Sequence, residues 1–353
     1  MRVDDFTTKR AGNDAVRCVR LTWVGGATRL WVRGPEHALP PDDDLSPFVP
    51  VALMLAMSRS EPLALHGPAS PTLLAQLPLA QQLLSAWDPA LTRVPVRAVS
   101  ELGPGRASDG RGLGFSRGVD STYSAVAPRR PGDEVTRLVY CMDWDPTSGP
   151  NTERLGRDAA LRAAESIGLE MLVVATNVRE VTWGVLDWAD AHGPALAMLG
   201  LSLPQAFGRF VIASNAPYRT FLPRGSHPEL DRLWSTERVV IAHDDAHLDR
   251  TGKLAHIVRE RPDLLDHLYV CFGQDSVDNC GKCRKCLLTM ASLEAAGGNG
   301  MTNAFPGPLD LDALRSLVVP GVVARLAFNN AYASLPPGPE HQPLRAALAQ
   351  LLR

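Results

Sequence analysis

Residues 112–121 read GLGFSRGVDS and are followed by a helix-compatible run over residues 122–127. This order of residues predicts a strand, a tight glycine loop and the N-terminus of a helix. The first turn of a helix leaves backbone N–H groups without partners, and the helix dipole adds partial positive charge at the same place. The stretch therefore predicts a phosphate-binding loop. An ordinary Gly/Ser turn between a strand and a helix is the alternative.

The residues of this loop have the chemistry that phosphate recognition requires. Gly118 lets the backbone approach an anion closely, and the hydroxyls of Ser116 and Ser121 can each donate a hydrogen bond to a phosphate oxygen. Asp120 would repel phosphates, so we expect it to hold a Mg²⁺ ion that neutralises them or to cap the helix. For Arg117 two outcomes are open. A positive φ would cost free energy at an arginine, whereas in another conformation its guanidinium could point at the phosphates.

The overall charge and the hydrophobic runs exclude two classes of protein. The chain has 353 residues, with 36 Lys plus Arg against 38 Asp plus Glu and a net charge of −2. A global basic field for nucleic acid is therefore not expected, although a local arginine face stays possible. No run approaches the 18 or so apolar residues that cross a bilayer, and the first residues are charged rather than a signal-peptide core. We expect a cytoplasmic protein without membrane association.

The chain before the loop has the pattern of a small α/β unit. Residues 15–33 alternate apolar and polar side chains on both sides of Gly25 and Gly26, which predicts a β-hairpin. Residues 50–57 and 71–87 have helix-like apolar spacing with proline near each start, and residues 93–99 return to alternation. We expect an N-terminal α/β extension over residues 1–105, serving as a scaffold or a lid.

The chain after the loop alternates strand and helix patterns. The predicted strands are residues 137–145, 171–175 and 210–213, and the predicted helices are residues 153–167, which end at Gly168, and 189–201. This alternation predicts an α/β fold with a doubly wound, mainly parallel sheet over residues 106–255.

Polar residues at the carboxyl ends of these strands are candidates for ligand contacts, because ligands of such sheets bind there. Asp143 follows the second strand of the unit, and His243 follows a strand-like run over residues 239–242. Arg250 and Lys253 could stabilise phosphate or a leaving pyrophosphate. Polar strand-to-loop transitions, a structural histidine and a solvated helix face are the respective alternatives.

Four of the six cysteines form a spaced cluster near the C-terminal end of this unit. Cys271, Cys280, Cys283 and Cys286 are separated by eight, two and two residues. In a reducing compartment such crowding indicates metal ligation rather than disulfides. Four thiolates close the tetrahedral shell of Zn²⁺, so we expect a structural zinc site in a zinc-binding and helical region over residues 256–353. An iron–sulfur cluster is the main rival.

Two motifs together resemble a known superfamily. Residues 116–121, SRGVDS, resemble the Ser-Gly-Gly-x-Asp-Ser loop of the ATP pyrophosphatase (PP-loop) superfamily, with Arg117 as the departure. The cysteine spacing resembles the zinc site of the 7-cyano-7-deazaguanine synthase family of that superfamily, in which a pyrophosphate loop also lies upstream of four cysteines. The resemblance covers roughly residues 110–295 and implies an adenine nucleotide alpha hydrolase-like fold. It does not cover the N-terminal extension.

The loop, the strand-end positions, the cysteine spacing and the resemblance together give a set of expected site residues and cofactors. ATP, Mg²⁺ and Zn²⁺ are the implied cofactors. Asp120, Ser121, Lys253 and His243 are the expected catalytic residues, the four cysteines are the metal ligands, and the nucleotide contacts are expected from Ser116, Arg117, Gly118, Val119, Asp120, Ser121 and Asp143.

The implied chemistry is cleavage of ATP between the α and β phosphates. We expect an adenylating ligase in which a small-molecule carboxylate or another acyl-type oxygen attacks the α phosphate. Ammonia or an amine then forms an amide or nitrile, in natural-product or modified-base biosynthesis. Sulfur transfer, for which Cys18 and Cys141 remain outside the metal set, is an alternative. Others are tRNA modification and a non-catalytic nucleotide-binding protein with a degenerate loop. A homodimer is a further possibility.

Overall fold

The structure is a computed structural model and describes the chain except for residues 41, 104, 106, 143, 145–147 and 274–275. The strands among the described residues are β1 (Arg2–Ala11), β2 (Asp14–Trp23), β3 (Gly26–Pro35), β4 (Leu63–Ala69), β5 (Val96–Glu101), β6 (Arg111–Gly114), β7 (Arg137–Met142), β8 (Glu170–Thr176), β9 (Arg209–Ala213) and β10 (Val240–Asp244). The α-helices are α1 (Val49–Ser58), α2 (Pro71–Trp87), α3 (Val119–Val126), α4 (Pro150–Ile167), α5 (Val178–Thr182), α6 (Trp188–Leu201), α7 (Pro228–Asp231), α8 (Arg250–Glu260), α9 (Arg284–Ala295), α10 (Leu311–Arg315), α11 (Gly321–Ser334) and α12 (Gln342–Leu351).

The strands form one mainly parallel sheet in the order β10-β9-β6-β7-β8-β3-β2-β1-β4-β5. All neighbours from β10 to β8 are parallel, whereas β8–β3, β3–β2 and β2–β1 are antiparallel. The strand order reverses direction at β6, because the chain continues from β6 to β7 on one side and reaches β9 on the other. Such a switch point opens a crevice at the carboxyl ends of the strands, and the glycine loop follows β6 directly.

The N-terminal strands continue this sheet. Strand β3 pairs with β8 through Val32 opposite Thr176 and Arg33 opposite Ala175. The predicted hairpin is confirmed as β2 and β3, with Gly25 at φ 90° in the turn between them. One sheet thus runs through residues 1–105 and 106–255, and the division of the chain into three domains stays a prediction.

Strands β1 and β4 are not predicted by the sequence pattern. In β1 the register with β2 shifts between Asp4 and Thr7, where Asp5 has a φ of 51°, so the apolar alternation is interrupted. In β4 the register with β5 shifts between Leu65 and Pro68, and a proline inside a run argues against a strand. The alternation of apolar and polar residues that predicts a strand is therefore missing from both segments.

Helices cover both faces of the central strands. Leu53 of α1, Leu77 of α2 and Met198 of α6 belong to one core cluster with the apolar side chains of β2 and β3. On the opposite face, Ala163 of α4 packs in a second cluster with Leu113 of β6 and Leu138 of β7. This arrangement confirms an α/β fold with helices on both sides of the sheet. Among the described residues, no helix combines the length and apolar composition needed to span a membrane.

Candidate functional site

A cavity of about 990 Å³ lies where β6, β7 and β9 end. The glycine loop, the start of α8, the start of α9 and one side of α11 contribute to its lining. Two ends of this cavity differ in chemistry. We call them the loop end, around residues 116–121, and the aromatic end, around Trp144 and Trp188.

The glycine loop forms a strand-to-helix turn, as the sequence predicts. Helix α3 begins at Val119, with Gly118 as its N-cap residue. The backbone N–H of Ser116 donates to Ser121 Oγ at 3.2 Å, and Ser121 Oγ donates to the Gly118 carbonyl at 3.2 Å. The Oγ atoms of Ser116 and Ser121 lie 3.3 Å apart in the cavity lining. Two hydroxyls and the N-terminus of a helix therefore line the same end of the cavity.

Arg117 takes the first of the two outcomes open in the sequence. Its φ is 61°, in the left-handed region that costs roughly 1–2 kcal/mol for a residue with a Cβ. Its Nε donates to the His267 carbonyl at 3.1 Å, its guanidinium lies 5.5 Å from the Tyr269 ring, and burial lowers its pKa. The Tyr269 N–H donates to the Arg117 carbonyl at 2.9 Å. Arg117 thus ties the glycine loop to the segment that leads into Cys271.

Asp120 forms a charge cluster with two cations from α8. Lys253 Nζ lies 3.0 Å from Asp120 Oδ1, and an Arg250 guanidinium nitrogen lies 3.2 Å from Oδ2. Lys253 is only 1 % exposed and also donates to the Ser214 carbonyl. Burial acts to raise the pKa of Asp120, but Lys253 and Arg250 outweigh it and hold that pKa below its ordinary value. The expected helix-capping role of Asp120 is wrong, because Gly118 is the N-cap and both Asp120 oxygens accept from these cations.

Two more cations reach the loop end from α9. Arg284 and Lys285 line the cavity, and Phe272 lies 4.7 Å from Lys285 Nζ. Burial, together with the charge of Arg250, lowers the pKa of Lys285. A Cys283 thiolate acts to raise the pKa of Lys285, so Lys285 faces both the cysteines and the cavity.

The aromatic end of the cavity has no local signal in the sequence. Trp144 and Trp188 pack edge to face at 5.1 Å, and the Arg179 guanidinium lies 4.9 Å from the Trp188 ring. His192 Nδ1 lies 3.2 Å from the Trp188 carbonyl, and burial lowers its pKa. Arg224 lines the cavity too, and its charge also acts to lower the pKa of His192. Trp144, the α5–α6 segment with Arg179, Trp188 and His192, and Arg224 come from three parts of the chain, which the fold brings together.

Two predicted catalytic residues, Lys253 and His243, are absent from the cavity lining that the described residues form. His243 Nδ1 lies 2.7 Å from the buried carboxylate of Asp231, and its ring packs against Phe221 at 5.3 Å. His243 is absent from the lining formed by the described residues, and its catalytic role stays a prediction. Asp143 lies outside the described residues.

The four cysteines converge, as their spacing predicts. Their Sγ atoms all lie within 4.8 Å of one another, with 3.9 Å between Cys271 and Cys283 and 3.9 Å between Cys280 and Cys286. Four Zn–S bonds of about 2.3 Å in a tetrahedron separate the sulfurs by about 3.8 Å. Gly281, at φ 70°, makes the turn between Cys280 and Cys283. The donor set and the spacing fit a closed four-thiolate metal site.

Backbone N–H groups support the sulfurs of this cluster. Cys280 Sγ accepts from the N–H of Cys283 at 3.2 Å, and Cys271 Sγ accepts from the N–H of Gly273 at 3.1 Å. Hydrogen bonds of this kind favour the thiolate form, which is the form that binds metals. Cys283 is also the N-cap residue of α9, so a metal here would fix the start of the helix that carries Lys285.

Comparison with known proteins gives no match: neither a protein-family model, nor a curated protein, nor a solved structure matches this chain. The likeness to the ATP pyrophosphatases therefore rests on the two motifs.

Proposed function

We propose that this protein is an ATP-dependent adenylating enzyme that activates a small-molecule carboxylate and releases pyrophosphate. One observation carries the proposal: the Ser116 and Ser121 hydroxyls, a helix N-terminus and the cations Arg250 and Lys285 line a single cavity, and Lys253 pairs with the lining residue Asp120. Oriented N–H donors and fixed cations stabilise the charge of a phosphoryl group during its transfer.

At the loop end, the phosphates would compete with Asp120 for its two cations. Lys253 and Arg250 are held in place by Asp120 before any nucleotide arrives, so their positions need no reorganisation. Asp120 is a carboxylate of the kind that binds Mg²⁺ together with phosphate oxygens. We propose that Asp120 turns to the Mg²⁺ that accompanies ATP once phosphates take over its cations. Mg²⁺ supplies neutralisation of the phosphate charge when bound.

At the aromatic end, the side chains suit a flat apolar body with a carboxylate. Trp144 and Trp188 offer apolar surface, whereas Arg179 and Arg224 offer positive charge that can orient a carboxylate. A carboxylate held between this end and the loop end would be aligned for attack on the α phosphate, and alignment is the main contribution that this chemistry asks of a protein. An amine or ammonia would then displace AMP.

The cysteine cluster supports this site from behind. Because Arg117 and Tyr269 join the loop to the segment entering Cys271, we propose a structural Zn²⁺ that braces the phosphate loop. Plasma mass spectrometry of the purified protein should find one zinc per chain, and Cys286→Ser should lose it. Stoichiometric iron with visible charge-transfer absorption would identify an iron–sulfur cluster instead.

Sulfur transfer by the same activation is the second candidate. Cys141 lines the cavity near the end of β7, where a thiolate could reach an activated substrate. Product formation that survives Cys141→Ala would favour attack by ammonia or an amine over sulfur transfer.

Exchange of labelled pyrophosphate into ATP tests the proposal, because this exchange requires reversible adenylate formation. We expect exchange that depends on one or more members of a carboxylate library and that falls at least about 100-fold in Lys253→Met. Arg259→Met is the matched control, since Arg259 lies on the same helix, is exposed and pairs with Glu260. Absence of exchange with every carboxylate, while ATP still binds, would favour a non-catalytic nucleotide-binding protein.

A further inference from the structure

The N-terminal half of the sheet exposes one of its faces. Ala15, Val19 and Leu21 of β2 point into the core, so the alternate residues of β2 point to the opposite face. The register places these residues in rows across β1, β2 and β3. One row is Asp4, Arg20 and Arg29, the next is Thr7, Cys18 and Trp31, and the third is Lys9, Val16 and Arg33.

This face is rich in cations. It carries three carboxylates, Asp4, Asp14 and Glu101, and the Asp5 carboxylate also reaches it, against six cations on β1, β2, β3 and β5, namely Arg2, Lys9, Arg20, Arg29, Arg33 and Arg97. Arg2 pairs with Asp4, and Arg29 pairs with Asp5. The other four cations form no ion pair with any residue that the structure describes. A local arginine-rich face, which the near-neutral net charge does not exclude, is therefore present on β1, β2 and β3.

The arrangement of these charges is not explained by the stability of the sheet. Arg20 lies directly opposite Arg29 in the β2–β3 pair, where like charges are destabilising. Arg29 is offset by its ion pair with Asp5, whereas Arg20 has Asp4 opposite it on β1 but no ion pair of its own. Both side chains are exposed. A ligand of negative charge would relieve this repulsion, whereas a second copy of the same face would increase it.

An aromatic side chain lies between the two cationic rows. Trp31 is two residues from Arg29 and two residues from Arg33 along β3, which places the cationic rows about 7 Å to either side of it. Its exposed fraction is intermediate. An aromatic ring flanked by cations is the arrangement by which proteins bind single-stranded nucleic acid, because the bases stack on the ring and the phosphates meet the cations.

The cationic face continues into a cleft. A second cavity of about 450 Å³ lies between this face and α4, with Arg33 of β3 and Arg157 of α4 in its lining. The path from Arg20 past Trp31 thus leads to a cleft lined by Arg33 and Arg157, together with Asp14, and Arg157 is paired with Asp158. A flat lipid surface would meet the exposed rows but would not enter the cleft.

We infer that the exposed face of β1–β3, which we call the cationic sheet face, binds single-stranded nucleic acid. The phosphates contact Arg20, Arg29 and Arg33, and a base stacks on Trp31. This surface is separate from the residues proposed for ATP activation, so each can fail without the other.

Fluorescence anisotropy with a labelled RNA or DNA single strand of about 12 nucleotides tests the inference. We expect the double variant Arg20→Glu/Arg29→Glu to bind about tenfold or more weakly and to reduce the slope of log affinity against log salt by about 1.4, since each phosphate contact contributes about 0.7. Trp31→Ala should also weaken binding about tenfold but leave the salt slope unchanged. Pyrophosphate exchange should be unaffected in all of these variants.

The matched control is Arg232→Glu/Arg259→Glu, which changes the net charge equally at exposed ion pairs elsewhere. Should the first double variant fail to fold, Lys9→Glu/Arg97→Glu reverses two exposed cations on the same face. Absence of binding by the wild type at low salt, or equal weakening by the control, would overturn the inference. Binding to vesicles containing phosphatidylserine but not to either oligonucleotide would also overturn it and would identify a membrane surface.

Discussion

Two clusters of carboxylates and cations lie at the same edge of the sheet and differ in what they face. In the first, Asp120 and Arg250 line the cavity, and Asp120 also pairs with the buried Lys253. In the second, Arg129 bridges Asp244 and Asp245 at 3.1 and 2.8 Å, behind the loop. Ionic chemistry of the same kind therefore occurs twice within one region.

The difference lies in the remaining partners. The second cluster is closed by Arg111, which also bonds Asp244, and by Ser124 of α3, whose hydroxyl donates to Asp245 at 2.6 Å. It joins α3 to the end of β10, and it is absent from the cavity lining that the described residues form. The first cluster presents its charges to a space that can hold a ligand. We therefore assign binding to the first cluster and support of the fold to the second.

Breaking the second cluster, which we call the enclosed cluster because it is absent from the cavity lining, should have the largest effect on stability. Arg129→Met leaves the buried Asp245 carboxylate without its cation, which typically costs about 3–5 kcal/mol in free energy of unfolding. Urea denaturation measures the change, with Arg259→Met as the control. If Arg129→Met were as stable as the wild type, the supporting role of this cluster would be refuted.

Neutralising the cavity cluster should affect turnover more than stability. Asp120→Asn removes the competitor of the phosphates and the proposed Mg²⁺ ligand, so ATP should bind at least as tightly while turnover falls about 100-fold. Calorimetry and pyrophosphate exchange separate the two effects. A variant with wild-type turnover would show that Asp120 only positions its cations.

The sheet edge was predictable from the sequence, whereas the contents of the cavity were not. The pattern that follows residue 112 is local, so the loop, α3, α4 with Gly168 at φ 85° and the alternation of strands can be derived from neighbouring residues. The four cysteines also lie within a short segment. Trp144, Trp188 and Arg224 are brought together by three separate connections. The partner of His243 is Asp231 on α7, and a position after a strand gives no indication of that contact.

Arg117 offers a sharper comparison of backbone strain with side-chain contact. Arg117→Gly should relieve the left-handed strain, whereas Arg117→Ala retains it, and both lose the bond to His267. We therefore expect the alanine variant to be about 1 kcal/mol less stable than the glycine variant. Paired urea denaturation curves measure this difference. Equal stability would show that the loop relaxes to another backbone conformation.

The pH dependence of His192 should give the smallest effect. Burial lowers its pKa in the folded state, so the unfolded chain binds more protons than the folded one at pH values below the ordinary histidine pKa of about 6.5. Stability should therefore fall as the pH decreases from about 6.5 towards the folded-state pKa. His192→Gln should flatten this part of the stability profile. An unchanged profile in the variant would mean that other groups cause the dependence.

The central claim is that the cluster in the cavity, and not the enclosed one, binds the phosphates of ATP. Isothermal titration calorimetry tests this claim most directly. ATP with Mg²⁺ is titrated into the wild type, into the cavity variant Arg250→Met/Lys253→Met and into Arg129→Met. We predict that the wild type and folded Arg129→Met bind ATP with similar affinity, whereas the cavity variant loses about 100-fold or more. Equal affinity of the cavity variant and the wild type would contradict the assignment of the phosphate site.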